Sequence, residues 1–318
     1  MDLLRGEQHK DMAERGDFVI VKSDGSPVYN FATVVDEHLM EITHVFRAVE
    51  HLTNTFDQLS VYKAMGWKPP QFGHLTLMLN PDRTKISKRA GAVYIGEFRE
   101  MGYLPEALIN FLALLGWNPG TDQEIFDMDG LVQAFSVETL SKSDAIFDIK
   151  KLDWFNGVYI RSLSVPELAL RVKPFMERAG FDVSDKARLE AAVALVTDRL
   201  NKLTEAPDML GFLFTKDVAI SAESFAGKAK IGPEQILDAL NQADGVLRQV
   251  DTWEHGPIEA SLRALAEAMG WKIGDLLMQV RIAITGRRVT PPLFESLVLL
   301  GKDESLRRIG LAIAALEH

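Results

Sequence analysis

The chain contains 318 residues, of which 47% are hydrophobic and 25% are charged, and its net charge is −10 at pH 7. This length and composition are typical of a globular protein with two or three domains. No apolar stretch approaches the roughly 18 residues that span a bilayer, and the N-terminus lacks an apolar signal core, so we expect a cytoplasmic protein. The sequence has no cysteine and no His-x-x-x-His pair, which excludes disulfides and predicts no zinc site.

The charge is distributed unevenly along the chain. An acidic balance argues against a general nucleic-acid coat, but it is compatible with local basic patches. Residues 82–89 contain four basic side chains against one acid, and residues 281–308 contain six against three. These two segments are the local basic patches of the chain.

The first part of the chain alternates between strand-like and helix-like segments. Residues 17–22 form an apolar, β-branched run, and turn residues follow at 23–27. In chain order, the pattern predicts strands over 17–22, 28–32 and 42–47 and helices over 33–40 and 54–65. Such an alternation is typical of an α/β layer fold.

Helices dominate from residue 105 onwards. Pro105 marks a helix start, and apolar residues at helical spacing continue to Gly116. Further helices are predicted over 129–135, 148–156 and 165–180, and amphipathic segments continue from 186 to the C-terminus. A shift in composition near 162–166 is the best candidate for a domain boundary.

The most distinctive segment is a basic loop, Lys85-Ile86-Ser87-Lys88-Arg89, which follows the turn residues Asn80-Pro81-Asp82. Lysine and arginine in a loop can neutralise the charge that builds up as pyrophosphate leaves a nucleotide, and a serine hydroxyl can add a donor. On its own, such a segment is more often a solvated basic turn. Its surroundings therefore decide its interpretation.

The loop and its surroundings resemble bacterial glutamyl-tRNA synthetase, a class I aminoacyl-tRNA synthetase. The loop is similar to the Lys-Met-Ser-Lys-Ser loop of that class. The other matching segments, in family order, are 24–32, 34–40, 42–47, 102–108, 114–117, 147–148 and 151–161. The resemblance is strong over 17–161 and thinner over 162–318. Several long matches in the same order make a chance similarity implausible.

The resemblance implies an α/β fold, the C-terminal half of a Rossmann-type catalytic domain with a helical stem-contact region, followed by an all-α anticodon-binding domain. On that basis we expect the remainder of the catalytic domain over 1–80, and the basic loop with the stem-contact region over 81–163. The anticodon-binding domain is expected over 164–318, with subdomains over about 164–211 and 212–318.

The resemblance also implies roles for individual residues. Arg47 and Tyr29 would bind glutamate, since arginine suits bidentate pairing with a carboxylate; without the family, a structural ion pair is the better interpretation of Arg47. Glu50, Met78 and Lys88 would bind ATP, with ordinary core packing as the alternative for Met78. The catalytic loop residues implied by the match are Lys88, Lys85, Ser87 and Arg89.

Contacts with tRNA are implied in the C-terminal part, where residues 280–294 are similar to the last-domain signature of the family. Arginine can form paired hydrogen bonds to a splayed base and stack on it. In the family, one such arginine, at the position of Arg199, helps to select cytosine at the third anticodon position. For Arg287 and Arg288 a solvated helix face is the better interpretation. The anticodon residues implied by the match are Arg199, Arg281, Thr290 and Pro291.

The first half of the family's nucleotide site is not found in the sequence. No histidine stands in a His-x-Gly-His context, and residues 2–6 are similar to a family segment that follows that half. We therefore expect the C-terminal two-thirds of the enzyme. A parallel sheet that lacks its first strands would expose an apolar edge and favour association.

Three hypotheses follow for the function. The first is a glutamate–tRNA ligase whose substrates are ATP with Mg²⁺, L-glutamate and tRNA(Glu), with no metal site of its own and a monomeric complete enzyme. The second is a catalytically inactive truncated fragment that binds tRNA or a partner. The third is a structural remnant without activity.

Overall fold

The computed structural model describes residues 1–86, 94–216, 218–225 and 231–317. The chain divides into two compact units, one formed by Met1–Glu97 with Pro105–Phe155 and the other by Phe98–Leu104 with Asn156–His318. None of the helices in the described ranges combines the length and the apolar character that crossing a bilayer requires.

The first unit is built around two parallel strands that a helix connects. From the N-terminus to residue 162, the elements are α1 (Tyr29–Leu39), β1 (His44–Ala48), α2 (Leu52–Met65), β2 (Gln71–Leu75), β3 (Met78–Leu79), α3 (Ile95–Glu100), α4 (Pro105–Gly116), α5 (Met128–Ala134), β4 (Ala145–Ile146) and α6 (Ile149–Ser162). Strands β1 and β2 pair in parallel with Arg47 opposite His74. Strands β3 and β4 form a second, short parallel pair.

Helix α2 connects β1 to β2 and supplies part of the core of this unit. Val61 and Tyr62 of α2 are buried against Val34 of α1 and Phe72 of β2. The helix ends at Gly66, whose φ of 69° lies in the left-handed region that glycine adopts without steric cost. This cluster fixes the two strands against the helix that joins them.

The predicted strand over 42–47 and the predicted helices over 33–40 and 54–65 are confirmed as β1, α1 and α2. The predicted strand over 28–32 is wrong, because helix α1 already begins at Tyr29. Phe31 and Val34 are three residues apart, so a helix places both on the face that packs against α2. Packing therefore outweighs the strand preference of the aromatic and β-branched residues.

The predicted strand over 17–22 is also wrong. Only Val21 forms a bridge, an isolated antiparallel one with Pro27, across a turn in which the Lys22 amide donates to the Ser26 carbonyl at 2.9 Å. Val19 is 64% exposed. The segment finds no further strand to pair with in the part of the chain that the structure describes, so its strand preference alone does not produce a strand.

In the described residues of the second unit, the regular elements are all helices. Its elements after residue 162 are α7 (Val165–Arg178), α8 (Lys186–Ala194), α9 (Ala206–Leu210), α10 (Ala222–Phe225), α11 (Pro233–Arg248), α12 (His255–Ala268), α13 (Ile273–Thr285), α14 (Leu293–Leu300) and α15 (Lys302–Leu316). Ser164 and Glu167 form a capping box at the start of α7. The predicted helices over 105–115, 129–135, 148–156 and 165–180 are confirmed as α4, α5, α6 and α7. An α/β first unit followed by a helical second unit confirms the expected fold class.

Candidate functional site

Arg47 lies next to the last residue of β1, at the carboxyl end of the parallel pair. Ligands of open α/β sheets bind beyond the carboxyl ends of the strands. The Arg47 side chain is half-buried. It forms no ion pair with any residue that the structure describes, and its charge only partly offsets the burial that raises the pKa of Glu37. A half-buried arginine without a carboxylate partner is suited to an anionic ligand.

Three neighbouring side chains hold the Arg47 guanidinium. Its Nη2 donates to Thr55 Oγ1 at 2.6 Å and to Gln58 Oε1 at 2.6 Å. Its Nε donates to His74 Nε2 over a longer distance of 3.4 Å. The guanidinium also lies 5.3 Å from the centroid of the Phe72 ring. Within the described ranges, Nη1 makes no hydrogen bond, so its two N–H groups are available to a ligand.

Tyr29 begins helix α1 and is 53% exposed. Its ring lies 6.0 Å from the ring of His51, at an interplanar angle of 50°. His51 directly follows Glu50 in the turn between β1 and α2. The structure thus brings Tyr29 next to the β1–α2 connection, and no hydrogen bond joins its hydroxyl to Arg47 among the described residues.

Glu50, in the turn between β1 and α2, forms an ion pair with Lys85 of the basic loop. Lys85 Nζ lies 2.5 Å from Glu50 Oε1, and both side chains are exposed. The hydrogen bond from Lys85, followed by its charge, lowers the pKa of Glu50 below its ordinary value. The first lysine of the basic loop is therefore paired with the acidic residue that was expected to serve the same nucleotide.

A tight turn leads into the basic loop. The Asn80 amide donates to the Thr84 carbonyl at 2.8 Å, and the Thr84 amide donates to Asp82 Oδ1 at 2.9 Å. Met78, at the start of β3, is 49% exposed and does not belong to the core. The remaining loop residues expected in catalysis, Ser87, Lys88 and Arg89, lie outside the described residues.

The four residues expected to contact an anticodon lie together in the second unit. Arg199 Nη1 donates to the Thr290 carbonyl at 2.7 Å, and Arg281 Nη1 donates to Thr290 Oγ1 at 3.1 Å. The Thr290 hydroxyl in turn donates to the Pro291 carbonyl at 3.1 Å. Two residues that lie 91 and 9 positions from Thr290 thus converge on its backbone and side chain.

Arg199 and Arg281 bring two positive charges to the same backbone carbonyl, that of Thr290. Burial, and then the nearby charge of Arg199, lower the pKa of Arg281 below its ordinary value. Neither arginine forms an ion pair with the described residues. Two guanidinium groups that share a carbonyl acceptor and lack a carboxylate retain N–H groups for a polar or anionic ligand.

Arg287 and Arg288 differ from this pair. Both are exposed, and Arg287 lies 3.6 Å from a carboxylate oxygen of Asp208. Arg288 Nη1 approaches the Ser224 carbonyl at 3.5 Å. Val289, which follows them, is 86% exposed. An apolar side chain so exposed, directly before Thr290, on which Arg199 and Arg281 converge, is a candidate contact that the sequence did not indicate.

The sequence also did not indicate the residues that hold Arg47. Thr55 and Gln58 lie on α2, His74 lies on β2, and Asp2 binds the other side of His74 with 2.5 Å between Oδ2 and Nδ1. All four are buried. A histidine in a buried strand and two polar residues on the inner face of a helix are the available signals, but they do not reveal their common partner.

Two family profiles match consecutive parts of the chain. Residues 1–154 match the family described as tRNA synthetases class I (E and Q), catalytic domain. Residues 167–313 match the family described as anticodon binding domain.

Curated glutamate–tRNA ligases are similar to the chain along its whole length. The ligase of Dehalococcoides mccartyi (strain ATCC BAA-2266 / KCTC 15142 / 195) is 42% identical over 327 residues, which cover 100% of this chain and 66% of that protein. The ligase of Geobacillus stearothermophilus is 40% identical over 319 residues, which cover 98% of this chain and 65% of that protein. The chain therefore spans slightly less than two thirds of the length of these relatives.

Solved structures show the same likeness. A glutamate tRNA ligase from Elizabethkingia meningosepticum, crystallised in complex with its amino acid, has a TM-score of 0.84 and 30% sequence identity, and the match covers 99% of this chain and 65% of that one. The glutamate-tRNA synthetase from Elizabethkingia anophelis has a TM-score of 0.81 at 30% identity, over 98% of this chain and 65% of that one.

Proposed function

Because the chain belongs to the glutamate–tRNA ligase family of class I aminoacyl-tRNA synthetases, we propose that it takes part in the ATP-dependent attachment of glutamate to tRNA(Glu) in the cytoplasm. In the first step, an oxygen of the glutamate α-carboxylate forms a bond to the α-phosphorus of ATP, and the bond to pyrophosphate breaks. In the second step, a hydroxyl of the terminal adenosine of the tRNA attacks the carbonyl carbon of the adenylate, and AMP leaves.

The proposal rests mainly on the position and the hydrogen bonds of the Arg47 side chain. It lies at the carboxyl end of a parallel strand, half-buried, with two of its three nitrogens fixed and with no carboxylate partner among the described residues. We propose that Nη1 binds the side-chain carboxylate of glutamate, with Tyr29 contributing its hydroxyl from the start of α1. The fixed Nε and Nη2 then limit the contact to one nitrogen of the guanidinium.

We propose that the nucleotide binds across Glu50 and the basic loop. The ion pair between Lys85 and Glu50 would have to open or shift when the phosphates arrive, because Lys85 is then needed as a phosphate ligand. Lys88, with Ser87 and Arg89, would stabilise the charge on the departing pyrophosphate. Met78 would line the adenine pocket. Mg²⁺ would be held mainly by the phosphates of ATP, as is usual for this ion.

We propose that the second unit reads the anticodon, within the boundaries expected for that domain, 164–318. Arg281 and Arg199 are ordered by Thr290 in the absence of RNA, which lowers the conformational entropy lost on binding. Their remaining N–H groups would bind splayed bases, with Pro291 and Thr290 shaping the contact surface.

ATP–pyrophosphate exchange tests the catalytic part of the proposal. The 318-residue chain is assayed with L-glutamate and tRNA(Glu), beside the Arg47→Ala variant. Exchange that requires glutamate and is lost in Arg47→Ala is the expected result for catalysis by this chain. No exchange by the wild-type chain would exclude independent catalysis and leave the alternative, a fragment that binds tRNA or a partner.

Filter binding tests that alternative and the anticodon residues together. Arg281→Ala should weaken binding of tRNA(Glu) by about 1–3 kcal/mol if the side chain reads a base. The matched control is Arg263→Ala on α12, an exposed arginine whose partner is Glu259 one helical turn away. Equal affinities of the Arg281→Ala variant and the wild-type chain would contradict the anticodon assignment.

A further inference from the structure

We infer that Asp2 and His74 form a positioning pair, which fixes the Arg47 guanidinium in the orientation that a carboxylate ligand requires. The inference rests on the proposed function, in which Arg47 binds the glutamate side chain. It assigns a role to the N-terminal segment 2–6, which docks onto β2 and brings a buried carboxylate behind the arginine.

The N-terminal segment is held to β2 by its backbone and by Asp2. The Leu3 amide donates to the Phe72 carbonyl at 2.9 Å. Asp2 Oδ1 accepts from the amides of Leu4 at 3.0 Å and Arg5 at 2.9 Å, and Arg5 Nε donates to the His74 carbonyl at 3.1 Å. These bonds leave Oδ2 of Asp2 for the imidazole of His74.

Asp2 is a carboxylate in this setting. Burial raises its pKa, but the hydrogen bond from the His74 side chain and those from backbone amides outweigh this effect and lower the pKa below the ordinary value. An ionised carboxylate accepts hydrogen bonds and cannot donate them. The short contact of 2.5 Å between Oδ2 and His74 Nδ1 therefore requires a proton on Nδ1.

The second nitrogen of His74 faces the arginine. Nε2 lies 3.4 Å from Arg47 Nε and 2.9 Å from Thr55 Oγ1, whose hydroxyl can donate either to Nε2 or to the His51 carbonyl at 3.2 Å. The Nε of an arginine is only a donor, so Nε2 must be unprotonated to accept from it. This geometry assigns the Nδ1–H tautomer to His74, held by Asp2 in the way that a carboxylate fixes the tautomer of a catalytic histidine.

The remaining contacts complete the restraint. Thr55 and Gln58 accept from Arg47 Nη2, and Gln58 Nε2 donates to Asn30 Oδ1 at 3.3 Å. Gln58 is fully buried. Rotation of the guanidinium would break these bonds and the one to His74, leaving buried acceptors without a donor. Asp2 acts only through His74, so it is a positioning residue rather than a ligand.

Asp2→Asn is the discriminating variant because asparagine has the shape of aspartate but replaces one acceptor oxygen by a donor nitrogen. The asparagine Oδ1 can still accept from the amides of the turn, and its Nδ2 presents N–H groups to His74 Nδ1. The imidazole proton then moves to Nε2, and Arg47 Nε faces a donor. The matched control is Asp148→Asn, because Asp148 is half-buried in the same unit and accepts the Lys150 amide at 2.9 Å, but contacts neither His74 nor the residues that hold Arg47.

Nitrogen-15 NMR of the 318-residue chain reads the tautomer directly. We expect the wild-type chain to show His74 as the Nδ1–H tautomer, together with a slowly exchanging Arg47 Nε–H resonance. Asp2→Asn should convert His74 to the Nε2–H tautomer and remove the Arg47 resonance, and Asp148→Asn should change neither. A wild-type His74 that is protonated on Nε2 would overturn the inference even if Asp2→Asn does not fold. An unchanged tautomer in folded Asp2→Asn would also overturn it.

Titration with L-glutamate separates this inference from the function on which it rests. If Arg47 binds the ligand, its resonances shift in the wild-type chain, and Asp2→Asn binds glutamate about tenfold more weakly, which corresponds to the loss of one hydrogen bond to a charged group. If the tautomer follows Asp2 as expected but glutamate moves no Arg47 resonance, the positioning pair stands and the assignment of glutamate to Arg47 fails. Unchanged glutamate affinity in Asp2→Asn, with a shifted Arg47 resonance in the wild-type chain, would overturn the positioning role.

Discussion

Arg308 is the most fully bonded buried charge in the second unit, and its removal offers a sharp test of how that unit is held together. The side chain lies on α15 and is 1% exposed. Its Nη1 donates to the carbonyls of Phe212 at 2.9 Å and Ile284 at 2.8 Å, and its Nη2 donates to the Thr215 carbonyl at 2.7 Å. Its Nε donates to Glu304 at 2.6 Å. One guanidinium thus ties α15 to the end of α13 and to the segment after α9.

The expected cost of Arg308→Met follows from these contacts. Methionine fills a similar volume but offers no donor, so three backbone carbonyls and Glu304 lose a partner. Removal of one member of a buried pair costs about 3–5 kcal/mol. Glu304 is 24% exposed and retains Arg307, which places the estimate near the lower end, at about 3 kcal/mol. For a unit of this size, that corresponds to a decrease in Tm of roughly 6–12 °C.

Thermal unfolding followed by circular dichroism measures this difference, with Arg307→Met as the control. Arg307 binds the same Glu304 at 2.7 Å and also donates to the Lys216 carbonyl, but its side chain is 44% exposed. An exposed pair of this kind contributes less than about 1 kcal/mol. Equal losses of stability in the two variants would show that burial does not determine how much each arginine contributes.

Three further predictions concern pH, backbone strain and association. The hydrogen bond from Arg307, with the bond and charge of Arg308, lowers the pKa of Glu304 to about 2 from 4.5 against a raising effect of burial. Because the folded pKa is the lower one, this stabilisation is complete above about pH 4.5 and is lost as the pH falls toward 2. Urea unfolding should therefore show that the free energy of unfolding decreases less between pH 4.5 and 2 in Glu304→Gln than in the wild-type chain. An equal decrease in both would contradict the assignment. Glu41 adopts a φ of 54°, so Glu41→Gly should stabilise the chain by up to about 1 kcal/mol; Glu41→Ala, which keeps a Cβ, should not, and equal stabilities of the two variants would argue against strain. Strand β1 pairs only with β2 among the described residues, and Phe46 is 38% exposed, so sedimentation velocity should detect concentration-dependent association; a single monomeric species at all concentrations would contradict this.

The helices and strands that the sequence predicts correctly are those whose apolar spacing is confirmed by packing. Helix α2 and strand β1 have both the pattern and a partner. Residues 28–32 show where local preference misleads, because Phe31 packs against α2 from a helix although its neighbours favour a strand. The preference of a short apolar segment is weak compared with the burial available to it in three dimensions.

The candidate site could be predicted in part. The family resemblance indicates Arg47 and Arg281 by position, but it says nothing about what orients them. Asp2 and His74 are 72 residues apart, and Arg199 and Thr290 are 91 apart. Such pairs depend on the tertiary fold, and no spacing rule in the sequence reports them. The orientation of Arg47, in which Nη1 makes no hydrogen bond to the described residues, likewise depends on partners from both α2 and β2.

Selectivity for the anticodon of tRNA(Glu) shows whether the second unit reads this tRNA. Filter binding compares tRNA(Glu) with the same tRNA in which the third anticodon base, cytosine, is replaced, for the wild-type chain and for Arg199→Ala. The wild-type chain is expected to prefer cytosine by about 1–3 kcal/mol, or roughly five- to 150-fold, and Arg199→Ala is expected to lose this preference. Equal binding of both tRNAs by the wild-type chain would contradict this expectation.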